Sequence, residues 1–435
     1  MNTIFRKTRV LTCVLAVISI AILTASPALA KRSTRGPARA TVTVSDAVVR
    51  EWNEIAFTTI PPQPPFPANR SMAIVQVAVF EAVNAITEKY EPYLGTISAP
   101  HGASTEAAAV MAAHGVLTAL FPAQAGNLDL RRDASLALIP DGQEKTDGMA
   151  VGTAAAVAML TDRTNDGSAP ALFHLPPNSD PYEWQVYAGC PAGGGAFRHW
   201  QNVRPFAIEN ASQFRAKRPP SLRSINYALD YNELRIFGDL NSPYRSQHRT
   251  NVARLYAAYN PPSLWNSVLL QIASTRDDEI TKTARTMAAM NMAVNDAAIS
   301  VLESKYFYTT WRPITAIPRG DEDGNWLTAP GTFTPLIATP CFPGYPSAHG
   351  SLSNAARQVL KRAYGGFGHS ITVQHPVVPG FVLSYSDLRD ITDDISDARV
   401  YGGIHFRYDQ TAGEKQGLAV GQFVYNHVLR KSNGH

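Results

Sequence analysis

The sequence predicts an all-α fold, a bundle of helices with almost no sheet. Residues 70–86, 105–120, 147–160 and 280–304 are apolar nearly all round or rich in alanine, the best helix former, and the first of them lacks the clustered Gly, Pro and Asn punctuation that separates short strands. Strand-like alternation of useful length occurs only at 371–378, and no segment repeats at a fixed period.

In chain order, residues 1–30 are expected to be a signal peptide. Arg6, Lys7 and Arg9 precede an apolar run from Val10 to Leu23, and Ala28-Leu29-Ala30 has the small-residue pattern of a cleavage site. The apolar run is short for a bilayer span of roughly 20 residues, and no later stretch is long and apolar enough to cross one. The expectation is therefore a secreted or periplasmic protein, free of the membrane after cleavage. Residues 31–40 are polar and expected to be disordered. Ser45 is a plausible cap for a helix through Val48, Trp52 and Ile55, and the proline run 60–67 reads as a stiff surface loop.

After the Ala-rich helices, residues 164–220 break into Gly, Pro, Asn and Asp clusters, read as a cover over a site. Helical periodicity returns at 227–236 and 246–259, then at 280–304, where Asn291, Asn295 and Asp296 need buried partners. The helices after Ser347 and over 387–401 and 406–429 complete the bundle. Gly413, Gly417 and Gly421 give the last one a smooth side for close packing. We divide the chain into the signal peptide 1–30, a helical scaffold with covering loops over 31–240, and a catalytic helical region over 241–435.

The chain has 39 Lys+Arg against 35 Asp+Glu. Removing residues 1–30 takes away three of the cations and no carboxylate, which leaves a nearly neutral chain. No clustered excess of Lys and Arg marks a nucleic-acid surface. Cys13 leaves with the signal, and Cys190 and Cys341 remain as either a long-range disulfide or two buried thiols.

Three clusters in the last third carry the chemistry: Lys305 to Arg312-Pro313, then Pro346-Ser347-Ala348-His349, then Arg399 to His405 and Asp409. Ser347 sits at a helix start, where free N–H groups and the positive dipole end favour an anion. Each cluster alone is a weak signal. Together and in order they resemble the signature K-x6-R-P, P-S-G-H, S-R-x5-H-x3-D of the vanadium-dependent haloperoxidases and the related PAP2-type acid phosphatases. Two positions depart from it: Ala348 stands for the glycine and Ala398 for the serine.

The resemblance implies vanadate bound through His405, with Lys305, Arg312, Ser347, the Ala348 N–H and Arg399 around its oxygens and His349 as acid/base. Phosphate would fit the same pocket. Asp409, four residues after His405, would orient it. As a peroxidase the protein would use hydrogen peroxide and halide, with Lys305 polarising peroxide. As a phosphatase it would hydrolyse a phosphate monoester through a phosphohistidine at His405. Phe342 before Tyr345-Pro346, Trp311, and the run His405-Phe-Arg-Tyr-Asp409 resemble the chloroperoxidase side, and Phe342 would lie beside the active site. Leu302 stands where those enzymes carry a tryptophan, and Asp239 is the candidate carboxylate partner for His349. The resemblance leaves room for a homo-oligomer.

Overall fold

The computed structural model describes residues 45–60 and 63–432. The expected signal peptide and polar segment lie outside them. Chain order runs α1 (Ala47–Thr59), α2 (Pro65–Thr87), α3 (Thr105–Leu120), α4 (Ala125–Ala137), α5 (Gln143–Asp162), α6 (Ile225–Phe237), α7 (Gln247–Ala258), α8 (Pro261–Ala273), α9 (Ile280–Tyr308), α10 (Pro313–Ala316), α11 (Ala348–Tyr364), β1 (Phe367–Gln374), β2 (Val382–Asp387), α12 (Leu388–Tyr401) and α13 (Arg407–His427). The fold is the expected helical bundle.

Several boundaries differ from the sequence reading, each for a local reason. The proline run is not loop throughout, because α2 begins at Pro65 and a helix's first turn has no use for the missing N–H. Asp46, not Ser45, is the first cap of α1. The helix read over 280–304 continues to Tyr308 and ends where Thr309 turns left-handed at φ 46°, so Lys305 sits within its last turn. The strand read at 371–378 is β1, which starts four residues earlier and pairs antiparallel with the short β2, Ile371 opposite Tyr385 and Val373 opposite Leu383.

The centre of the molecule is α9, buried from Ile280 through Lys305 with almost no exposed position. It packs against α2 on one side and against α11 and α13 on another. Small residues set the closest approaches. A Cβ added at Gly148 or Gly152 of α5 would lie 2.3 or 2.2 Å from backbone oxygens of Ser104 and Ala108. The stripe on α13 does the same against α11: a Cβ at Gly413, Gly417 or Gly421 would meet Ser347 O at 2.5 Å, Ser351 O at 2.0 Å or Ala355 O at 2.5 Å. Backbone thus rests directly on backbone where the second and third sequence clusters meet.

Residues 164–220 are irregular apart from a short 3₁₀ turn at Arg198–Asn202. Their anchors are polar. Asp296 accepts the N–H groups of Phe206, Ala207 and Ile208 at 2.8, 2.7 and 3.0 Å, and Cys190 is disulfide-bonded to Cys341. Among the described residues no single helix is long and apolar enough to cross a membrane.

Candidate functional site

Helix ends deliver the functional side chains. Lys305, fully buried in the last turn of α9, donates to the carbonyls of Pro343 at 2.9 Å and Gly344 at 2.7 Å. Arg312 follows the turn and caps α10. Its Nε donates to Phe342 O at 2.9 Å and its Nη1 to Ile404 O at 2.9 Å. Both cations thereby hold the 342–344 loop that leads into α11, and Thr310 fixes the same loop by accepting the Tyr345 N–H at 2.9 Å.

Ser347 is the N-cap of α11, as its place in the sequence predicts, and accepts the Gly350 N–H at 3.2 Å. Its hydroxyl hydrogen remains available, and the Ala348 N–H is one of the first-turn donors that have no intrahelical acceptor. The Ser347 N–H donates to Asp409 O at 2.9 Å, which stitches the start of α11 to the start of α13.

His405 lies just outside α13, whose cap is Phe406, so its pairing with Asp409 is not a contact along one helix face. Asp409 instead reaches back from the first turn. Its Oδ2 lies 2.8 Å from His405 Nδ1 and accepts the Phe406 N–H at 3.1 Å.

Each imidazole also meets a guanidinium. Arg312 Nη1 is 2.9 Å from His405 Nε2, and Arg399 Nη1, from the last turn of α12, is 2.9 Å from His349 Nε2. A guanidinium can only donate. Both Nε2 atoms are therefore acceptors, both rings are neutral, and each Nδ1 carries the hydrogen, in the case of His405 directed at Asp409.

Electrostatics agree with this assignment. Burial, then Arg312, Lys305 and Arg399, hold His405 well below the ordinary histidine range. Burial followed by Arg399, Lys305 and Arg312 does the same for His349. His349 keeps an exposed edge, which tempers the burial contribution, and the three cations act in the same direction. Burial pushes Asp409 up, against the opposing pull of Lys305 and Arg312. The Lys305 ammonium is pushed well down, mainly by burial and then by Arg312. Arg399 is lowered only to about 10 by burial and Arg312, and stays charged at neutral pH.

Lys305, Arg312 and Arg399 thus crowd one buried space with Asp409 as the carboxylate among them. Arg312 Nη2, Arg399 Nε and Arg399 Nη2 are buried without any partner. Orphaned donors of this kind call for an oxyanion. Vanadate and phosphate both fit this donor set, and the lone pair of His405 Nε2, which here accepts from Arg312 Nη1, could form a covalent bond to the group. Among the described residues, no three His, Cys, Asp or Glu side chains converge as a bare cation would require.

Not every expectation survives. Asp239 accepts the Thr334 and Asn241 N–H groups at 3.0 and 2.8 Å, committed to a turn rather than to His349. Asn291 does find the buried partner it needs in Asn266, and Asp296 in the N–H groups of the 206–208 segment. Leu302 is fully buried in the apolar core. Phe342 does lie beside the site, 5.3 Å from Lys305 Nζ and 5.1 Å from the Arg312 guanidinium carbon. It lines a cavity of about 350 Å³ together with His349, His405, Ala348, Phe66 and Phe197. Phe66 and Phe197 come from segments far apart in sequence, and no pattern in either one marks them.

Fold and site together define a helical-bundle protein with buried guanidinium, ammonium and imidazole groups gathered at one place. Its relatives are specific: residues 285–434 match the VCPO second helical-bundle domain. The vanadium chloroperoxidase of Curvularia inaequalis is 33% identical over 150 residues, covering 29% of this chain and 24% of that protein, about a quarter of its length. The crystal structure described as the first bacterial vanadium-dependent iodoperoxidase superposes with a TM-score of 0.75 at 24% identity, over 91% of this chain and 99% of that one. A holo-type bacterial vanadium-dependent chloroperoxidase gives 0.68 at 19% identity, over 85% and 93%. At these identities the two structures establish the fold. Over residues 285–434 the chain is similar to the vanadium haloperoxidases.

Proposed function

We propose that the protein is an exported, vanadate-dependent haloperoxidase that oxidises halide with hydrogen peroxide. The observation that carries this reading is the set of partnerless guanidinium N–H groups around two neutral imidazoles at one end of an apolar cavity. His405 Nε2 would bind vanadate, and Lys305, Arg312, Arg399, the Ser347 hydroxyl and the Ala348 N–H would hold its oxygens. Bound vanadate would supply the electrophilic centre at which peroxide is activated toward halide.

The chain's own part is positioning and proton handling. Asp409 fixes the His405 tautomer that puts the hydrogen on Nδ1 and the lone pair on Nε2, as outer carboxylates do for ligating histidines. His349, neutral at Nε2 and edged by the cavity, takes a proton from incoming peroxide and returns it to the departing oxygen. Lys305 and the two arginines neutralise charge on the oxyanion in a site shielded from water. Export is supported by the Cys190–Cys341 bond, since such bonds persist in oxidising compartments.

The test is to strip the protein and assay it with and without orthovanadate, following iodide or bromide oxidation by peroxide beside hydrolysis of an aryl phosphate. Halide oxidation that needs vanadate and disappears in His405→Ala is the expected result. Hydrolysis that vanadate inhibits, without halide oxidation, would replace this reading with a phosphomonoesterase working through a phosphohistidine at His405.

A further inference from the structure

A second cavity, about 610 Å³ in volume, opens between α6, α13 and the segment 213–220, and it shares no wall residue with the cavity beside the imidazoles. Its size is that of a small-molecule site. Five basic side chains line it, Arg215, Lys217, Arg218, Arg407 and Lys415, against one carboxylate, Asp230.

Two of the five are committed elsewhere. Arg215 pairs with Glu303 and lies over the Phe307 ring, and Arg407 is held between Glu233 and Asp397. Among the described residues, the charged ends of Lys217, Arg218 and Lys415 make no ion pair and no hydrogen bond, and all three side chains are exposed at the edge of the cleft. On a convex surface such cations would be ordinary. Here they border a concavity, whose low-dielectric walls concentrate their field.

The rim that carries Lys217 and Arg218 is fixed. Gln416 Nε2 donates to Phe214 O at 2.9 Å, Tyr308 donates its hydroxyl to Ala216 O at 2.8 Å, Ser304 Oγ accepts the Ala216 N–H at 3.1 Å, and the Tyr345 hydroxyl donates to Lys217 O. Gln416 and Ser304 are buried. These bonds set the backbone of an otherwise irregular segment, and a rim already ordered loses less freedom when a ligand arrives. The facing wall is one side of α13, where Arg407, Thr411, Lys415 and Ala419 stand four residues apart. Phe214, Leu229, Tyr345 and Tyr408 supply apolar and aromatic surface, with the Phe214 ring held edge-on against Phe423 at 5.6 Å. A bare inorganic anion has no use for that surface, and an uncharged ring has none for the cations.

We propose that this cleft binds a small organic dianion, two carboxylates on an aromatic body, with Lys217, Arg218 and Lys415 at the carboxylates and Phe214, Leu229 and Tyr345 against the ring. The assignment is independent of the haloperoxidase reading, because it draws on none of the residues of the oxyanion site. Asp230 is the like-charged group on the wall and opposes the ligand.

Phthalate is the probe, titrated into the whole protein by calorimetry near neutral pH and at low ionic strength, where screening is weakest. Saturable binding is expected, weakened about tenfold or more in Arg218→Ala/Lys415→Ala, whose exposed side chains can be shortened without disturbing the core. Asp230→Asn removes the opposing charge and is expected to tighten binding about twofold to fivefold, a gain that a damaged fold does not produce. Dimethyl phthalate, the same ring without charge, and sulfate, charge without a ring, are each expected to bind at least about tenfold more weakly than phthalate. No saturable phthalate binding overturns the proposal. So does a double variant that binds as the wild-type protein does, or an Asp230→Asn protein with no gain, since the anion would then sit elsewhere, the space between Arg312 and Arg399 included. Sulfate binding as tightly as phthalate would mark a site for any anion, and dimethyl phthalate doing so would mark an apolar hollow indifferent to the cations; either result also overturns the assignment.

Discussion

Gly417→Ala adds one methyl group where α13 rests on α11. The new Cβ would stand 2.0 Å from Ser351 O, 2.8 Å from Ser351 C and 3.0 Å from Ala355 N. All of these are backbone atoms within a helix, so no side chain can rotate away and α13 must move outward by roughly 1 Å. Overpacking of this kind costs about 1–3 kcal/mol, and the better helix propensity of alanine returns less than about 1 kcal/mol. A net loss on the order of 2 kcal/mol is expected in the urea midpoint at unchanged slope. Because the Ser347 N–H to Asp409 O bond ties the two helix starts together, the same shift separates His405 from His349. A displacement of that size is worth about a hundredfold in turnover, read as vanadate-dependent iodide oxidation. Gly126→Ala is the matched control: nothing lies within 4 Å of its added Cβ, and it should be neutral or stabilising by up to about 1 kcal/mol. If Gly417→Ala matched that control in both midpoint and activity, the contact between the glycine stripe and α11 would not be what sets the distance between the imidazoles.

Three further outcomes follow from the same geometry. Asp409→Asn should bind vanadate about 10–100-fold more weakly, because the amide no longer fixes the His405 tautomer; a vanadate titration followed by protein stability reads this directly. Asp230, which accepts the Tyr408 N–H at 2.7 Å, is pushed up to about 6 by burial. Since an unfolded aspartate releases its proton near 3.9, the folded state holds more protons between the two values, and the stability this group contributes is whole below the lower one and lost as pH rises to the upper. Asp230→Asn should therefore stabilise the protein by about 1–3 kcal/mol at pH 7, with the gain vanishing toward pH 4 in paired denaturation curves. Cys190→Ser opens a loop with a sequence separation of 151 residues. On chain-entropy grounds it should lower stability by up to about 5 kcal/mol, checked against the reduced wild-type protein, which should lose as much.

The site residues were legible because their chemistry needs helix ends, and helix ends leave sequence signals. Ser347 before an apolar-periodic run and Gly402-Gly403 after Arg399 locate two of the three clusters on their elements without coordinates. The bundle was legible for a related reason: α2, α3 and α9 are buried nearly all round and can only read as apolar. What escaped lacks such marks. Helix α4 is largely exposed and polar, and α8 opens on Pro261-Pro262, which looks like loop until it is seen to be a first turn. The rest of the cavity wall escaped because Phe66 and Phe197 belong to separate segments joined to Phe342 only by packing. The lone pair on His405 Nε2 escaped because it depends on which atom of Arg312 arrives.

The burial of α9 reaches beyond its role as a support for Lys305. A helix of 29 residues is about 44 Å long, and this one is covered by α2 from early in the chain and by α11 and α13 from its end. During synthesis the greasy flank meant for α11 and α13 therefore stays uncovered until the last hundred or so residues emerge, which is the condition under which chains recruit chaperones or aggregate. A fragment beginning at residue 241 would meet the opposite difficulty and lack α2. Neither half of the polypeptide covers α9 by itself, and the helix that carries Lys305 is enclosed only once both ends have wrapped the same rod.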